Sequence, residues 1–121
     1  MPIKNLYKII SSEKTESGVF VKIHIDKDNP IFKGHFPENP IMPGVCMLQI
    51  IKEITEQAIG RKLRMRQANN VKFLSLINPE VNPNLTLDIA ITEEGDEVKV
   101  KNISSFENTV ALKMGAIYKI I

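Results

Sequence analysis

The chain has 121 residues, 43% apolar and 25% charged, ordinary values for a globular protein with room for a buried core. Its net charge of +2 gives no strong attraction to nucleic acid or membrane, and without Trp and with few other aromatics it lacks base-stacking platforms. No apolar run approaches the roughly 20 residues of a spanning helix, Met1 to Leu6 lack the core of a secretory signal, and the lone Cys46 forms no intrachain disulfide. One domain over residues 1–121, in a reducing cytoplasm, is the expectation.

Along the chain, Val19, Val21, Ile23 and Ile25 alternate with Phe20, Lys22, His24 and Asp26, the period-two pattern of a half-buried strand. That strand is expected to end at Asn29-Pro30. Pro43 to Ile59 reads as the one substantial helix. Pro43 suits the first helical position, where a missing N–H costs nothing, and Gly60 supplies a stop. Val45, Leu48, Ile51, Ile54, Ala58 and Ile59 recur at helical spacing, and Gln49, Lys52, Glu53 and Glu56 form a polar stripe. The first two turns are apolar on nearly every side, which predicts burial at that end.

Val71 to Ile77 predicts a further strand, stopped by Asn78-Pro79. Leu85, Leu87, Ile89 and Ile91 alternate again, Glu94-Gly95-Asp96 makes a turn, and Val98 and Val100 begin a returning strand. After Glu107-Asn108, the residues Val110, Leu112, Met114, Ala116, Tyr118 and Ile120 form the longest alternation. One central helix among antiparallel strands implies an α+β architecture with the sheet wrapped around the helix.

The segment between the Val19–Ile25 alternation and the helix carries Pro30, Pro37, Pro40 and Pro43, together with Gly34 and His35. Prolines fix φ and narrow the unfolded ensemble, so this loop is expected to hold one shape. A histidine in such a loop can cap a backbone group, or it can act as a base. The helix that follows offers unpaired N–H groups at Gly44 and Val45, with about half a positive charge from its dipole. Those donors suit a thioester oxygen gaining negative charge, and a neutral His35 nearby could take an α-proton from the same acyl group.

Gly34-His35-Phe36-Pro37-Glu38-Asn39-Pro40-Ile41-Met42-Pro43-Gly44-Val45, with Asn29 to Lys33 before it, closely resembles the signature of the 3-hydroxyacyl-(acyl-carrier-protein) dehydratases of fatty acid synthesis. Val71-Lys72-Phe73 through Pro79 is more weakly similar to the start of that family's second half. The resemblance implies a hotdog fold, an antiparallel sheet around one long helix, paired into homodimers or dimer-based assemblies with acyl tunnels at the interface. It implies His35 as catalytic base, Gly44 and Val45 as the amides holding the thioester oxygen, and Phe36, Met47, Leu48 and Phe73 as tunnel lining. The family's acid, a Glu or Asp, lies fourteen residues after the histidine on the facing subunit. Here that position is Gln49.

A carboxyl can hold and exchange the proton that a leaving hydroxyl needs, whereas a carboxamide can only orient the hydroxyl or a water. General acid–base help contributes about 10² to 10⁴ in rate. His35 could then handle both protons in turn, another carboxylate (Glu53 or Glu38) could substitute, or the site could bind acyl thioesters without dehydrating them. Gln49 could also simply begin the polar stripe that runs to Glu56. A hotdog thioesterase, or a degenerate subunit paired with an active partner, are the alternatives to a dehydratase.

Arg61, Lys62, Arg64 and Arg66 follow the helix closely. Such a run is commonly a solvated segment, and it could also steer an acidic acyl carrier protein. Cys46 sits in an apolar helix without an adjacent base and reads as core filler. His24, on the polar side of its strand, reads as solvent-facing. No cluster has metal-ligand spacing and there is no phosphate-cradling glycine loop, so neither metal nor cofactor is expected.

Overall fold

The computed structural model describes residues 5–33 and 40–121. In chain order the elements are β1 (Tyr7–Lys14), β2 (Gly18–Ile25), a short 3₁₀ turn (Pro30–Lys33), α1 (Gly44–Ile59), β3 (Leu63–Phe73), β4 (Asn84–Glu94), β5 (Glu97–Phe106) and β6 (Thr109–Ile120). The strands form one antiparallel sheet in the order β1-β2-β4-β5-β6-β3. This is the hotdog arrangement of a sheet around a single long helix.

The alternating residues place the core. Val19, Val21, Ile23 and Ile25 of β2 are buried, as are Leu85, Leu87 and Ile89 of β4 and Leu112, Met114, Ala116 and Tyr118 of β6. Their partners in register, such as Val21 with Leu87 and Val98 with Tyr118, are buried on the same face, while the residues between them turn outward, so one side of the sheet is apolar and packs on the helix. The helix answers with Cys46, Met47, Ile50, Ile51, Ile54 and Thr55, a stripe repeating every three to four residues. Thr55 is accommodated in that stripe because its hydroxyl donates to the Ile51 carbonyl at 2.8 Å.

Several expectations are corrected. The helix starts at Gly44, and Pro43 is its N-cap with φ −62° and ψ 141° rather than its first helical residue. The residue at that junction is extended, which its own φ permits. The strand beginning the second half runs Leu63–Phe73, not Val71 to Ile77. Only Leu63 of β3 is buried, because β3 is an edge strand with little to pack against, so Arg64-Met65-Arg66-Gln67 carries no apolar alternation to read. Its register with β6 slips at Met65/Gln67 and again at Asn69/Lys72, where Asn70 takes φ 52°.

β2 stops at Ile25, well before Asn29-Pro30, because the Asp26 carboxylate accepts the Asp28 N–H at 2.9 Å and turns the chain. The opposite edge strand, β1, is exposed along nearly its whole length, so no alternation in its sequence marks it. The first turn of α1 is also not buried all round. Val45 lies on the side of the helix turned away from the sheet and is 74% exposed.

One contact at each end fixes the helix. The Met42 N–H donates to the Ile77 carbonyl at 2.8 Å, joining the segment before α1 to the segment after β3. At the far end Gly60 adopts φ 69°, a left-handed conformation that suits glycine, and its N–H returns to the Glu56 carbonyl at 2.8 Å.

Candidate active site

The helix N-terminus is built by a residue that cannot cap it. Pro43 has no side-chain acceptor to offer, and its carbonyl takes the N–H groups of Cys46 and Met47 at 3.0 and 3.3 Å. The N–H groups of Gly44 and Val45 precede the first intrahelical bonds and have no acceptor among the described residues. The ring of Phe73 rests over this point. A Cβ added at Gly44 would stand 2.7 Å from Phe73 Cζ, so glycine is needed here for the close approach of that ring. Phe73 itself is 55% exposed, and Leu74 and Leu76, just after it, are exposed as well.

Gln49 is half-buried on the same outward side of α1 as Val45. Its side chain is held rather than free: Nε2 donates to Glu53 Oε2 at 2.9 Å. The other oxygen of that carboxylate, Oε1, accepts the Tyr7 phenol at 2.8 Å. Burial first, and then the bond to Glu53 and its charge, push the Tyr7 phenol well above the usual tyrosine range, so it stays protonated and donating. Gln49 and Glu53 face a cleft of about 560 Å³ bordered by Lys52, Glu56, Arg61 and Lys62. Glu53 also lines a smaller cleft on its other side, shared with Tyr7.

The remaining predicted residues fall in different places. His35 and Phe36 lie outside the described residues. Met47 is packed in the core and Leu48 is half-buried beside it. Within one protomer, Phe73 meets Gly44 at the start of the helix, while Gln49 turns toward Glu53 and Tyr7.

Cys46 is buried, and burial pushes its thiol up, which removes it as a nucleophile. Of the basic run, Arg66 pairs with Glu97, while Arg61, Lys62 and Arg64 are exposed without ion-pair partners among the described residues. His24 is half-buried and its Nδ1 lies 2.7 Å from Asn84 Oδ1.

Tyr7 is the site residue that sequence reasoning missed. It is separated from Glu53 by 46 positions, and nothing local in Leu6-Tyr7-Lys8 points to the helix. The available signal is indirect: a carboxylate on the polar stripe one turn after Gln49 has to find donors somewhere.

Among the described residues no helix is long and apolar enough to cross a membrane. The same fold is found in the dehydratase heterocomplex ApeI:P from Xenorhabdus doucetiae, with a TM-score of 0.74 and 20% identity over 91% of this chain and 96% of that one. A hypothetical thioesterase with coenzyme A from Streptococcus pneumoniae superposes with a TM-score of 0.67 at 12% identity, over 95% and 85% of the two chains. In sequence, the chain is 27% identical over 112 residues to the 3-hydroxyacyl-[acyl-carrier-protein] dehydratase FabZ of Thermoanaerobacter sp. strain X514, covering 86% of this chain and 77% of the relative. Residues 11–112 match the ApeI-like family, described as ApeI dehydratase, a span that takes in the loop motif and the whole of α1. The chain belongs to the ApeI-like dehydratase family.

Proposed function

We propose that the protein eliminates water from a 3-hydroxyacyl thioester, carried on an acyl carrier protein in the cytoplasm, to give the 2-enoyl thioester. The observation that carries this reading is the pair of unaccepted N–H groups at Gly44 and Val45, directly after the motif that holds His35. In the proposed reaction the neutral imidazole of His35 takes the C2 proton. The electron pair moves into the carbonyl, whose oxygen the two amides hold, each donor contributing about 3 kcal/mol as charge develops. The pair then returns to form the C2–C3 double bond as the C3–O bond breaks. The imidazolium gives its proton to the departing hydroxyl, water leaves, and His35 is neutral again.

The unit that acts is a dimer in which Gln49 reaches the acyl group held by the facing protomer. Support comes from Val45, Phe73, Leu74 and Leu76, which are large apolar side chains left exposed near the helix start, and from β3, an edge strand with one side unpaired. Phe36, Leu48 and Phe73 would line the acyl path, with Met47 behind them. Arg61, Lys62 and Arg64 would meet the carrier.

A second reading is favoured by the amide at position 49: a subunit that binds acyl thioesters and works beside a different, acid-bearing chain. The ApeI:P structure, described as a heterocomplex, is a precedent for such pairing. A third, thioesterase activity, follows from the shared fold alone. Products separate the three. Purified protein and its His35→Ala variant are incubated with a 3-hydroxyacyl carrier protein, and the thioester mass is followed. Loss of one water that depends on His35 supports the dehydratase, free acid and thiol support the thioesterase, and no change supports the partnered subunit. Turnover unaffected by His35→Ala would overturn the mechanism.

A further inference from the structure

A carboxamide can present either a donor or an acceptor to a substrate, and the two ends recognise different things. In this protein the choice is already made. A carboxylate accepts and does not donate, so the end of Gln49 that faces Glu53 at 2.9 Å is the NH₂ group. The Glu53 carboxylate in turn cannot rotate freely, because Tyr7 donates to its second oxygen at 2.8 Å. Tyr7 comes from β1 and Glu53 from α1, so the carboxylate is tied to two elements at once. No partner among the described residues takes Gln49 Oε1.

We infer that Tyr7 and Glu53 are positioning residues that lock the Gln49 amide with its carbonyl oxygen outward, making Gln49 a specificity-determining acceptor for the C3 hydroxyl of a 3-hydroxyacyl group. This inference rests on the acyl-thioester site proposed above and adds to it the source of preference for the hydroxylated chain. An acceptor suits that task because a hydroxyl donates its hydrogen to Gln49 and keeps its lone pairs for the proton that will carry it away. A chain lacking the hydroxyl leaves the amide oxygen desolvated without a donor, which weakens binding. Glu53, with both oxygens already accepting, serves the amide and does not exchange protons with substrate.

The test uses unreactive probes, a 3-hydroxyacyl pantetheine amide and its saturated counterpart, and reads the ratio of their dissociation constants by calorimetry on the intact protein. One uncompensated hydrogen bond predicts about tenfold preference for the hydroxylated probe in wild type. Glu53→Leu frees the amide and should bring the ratio to about one, while weakening the saturated probe less than twofold. Tyr7→Phe loosens one of the two anchors and should give an intermediate ratio. Glu53→Gln retains an acceptor for Gln49 and a donor for the Tyr7 oxygen, so the preference should stay within about threefold of wild type.

Matching melting temperatures confirm that the variants are folded. A ratio near one in wild type, an unchanged ratio in Glu53→Leu, or a collapse in Glu53→Gln equal to that of Glu53→Leu would each overturn the inference. The readout needs no turnover. A protein that prefers the hydroxylated probe but forms no enoyl product would sink the dehydratase reading and leave the inference standing, and the reverse result would do the opposite.

Discussion

Replacing Gln49 with Glu should do two things at once, and both follow from the 2.9 Å contact to Glu53. The substitution exchanges an NH₂ donor for a second carboxylate facing the first. At about 4 Å between charge centres the repulsion is about 4 kcal/mol with an effective dielectric of 20 and about 1 kcal/mol in water. Both side chains are half-buried, so about 2 kcal/mol is the reasonable figure. The pair therefore holds one proton to higher pH in the folded protein than in the unfolded chain, delaying its loss by more than about one pH unit. A raised folded-state affinity means that stability is intact below the ordinary Glu range of about 4.3 and is lost as pH rises.

At about pH 4 the variant should melt with wild type. At about pH 8 it should melt about 8 °C lower, taking an unfolding entropy of about 2.1 cal/mol/K per residue. A carboxyl at position 49 can also exchange a proton, which the amide cannot, so under the proposed reaction enoyl formation should rise by about 10² or more. Differential scanning fluorimetry across pH gives the first result and thioester mass spectrometry the second. A melting difference independent of pH would refute the contact. A pH-dependent difference without a gain in rate would refute the placement of position 49 beside the hydroxyl.

Other consequences can be checked separately. Tyr118 is fully buried with no partner for its hydroxyl among the described residues, and burial, followed by the charge of Glu56, pushes its phenol up to about 12. Stability tied to the protonated phenol is present below the ordinary value of about 10 and is lost as pH rises toward about 12; Tyr118→Phe should flatten that alkaline loss and raise the neutral-pH melting temperature by about 4 °C, and a lower melting temperature would reveal a hidden partner. Gly44→Ala pushes against the tip of the exposed Phe73 ring, which can swing, so stability should fall by less than about 1 kcal/mol while thioester turnover falls tenfold or more. Adding Phe73→Leu should restore part of that turnover. Arg61→Glu with Lys62→Glu should raise KM for carrier-bound acyl groups about tenfold at low salt and leave small thioesters unchanged, whereas Arg66→Glu should cost stability through repulsion from Glu97.

The parts of this fold that can be read in the sequence are those where one face is buried and the other wet. β2, β4 and β6 carry that alternation almost without interruption, and the helix carries its stripe, because each packs one side against the core. β5 carries Val98 and Val100 and then turns inward with Asn102 and Ser104, which are buried and satisfy each other in part through a 2.8 Å bond from Asn102 Nδ2 to Ser104 Oγ. The edge strands are different. β1 and β3 are stabilised by backbone pairing to β2 and β6, and that pairing leaves no pattern in side chains. For the same reason Arg64 and Arg66 read as a solvated run although they lie in a strand.

At the helix start, the amides of Gly44 and Val45 were legible because their chemistry is local, whereas Pro43 as the N-cap and the Phe73 ring over Gly44 were not, since both depend on how the chain packs there. The Gln49 environment was only half legible. Spacing along α1 places Glu53 one turn from Gln49, but a polar stripe of Gln, Lys and Glu is equally what a solvated helix face presents. What changes its meaning is Tyr7, delivered from the far edge of the sheet. Without that third group the amide could turn either end outward and the pair would be two surface side chains. With it, the orientation of Gln49 depends on how β1 seats against α1. Selectivity at position 49 should therefore respond to perturbation of β1, an edge strand remote from the acyl group in sequence, before it responds to changes in the proline-braced loop itself.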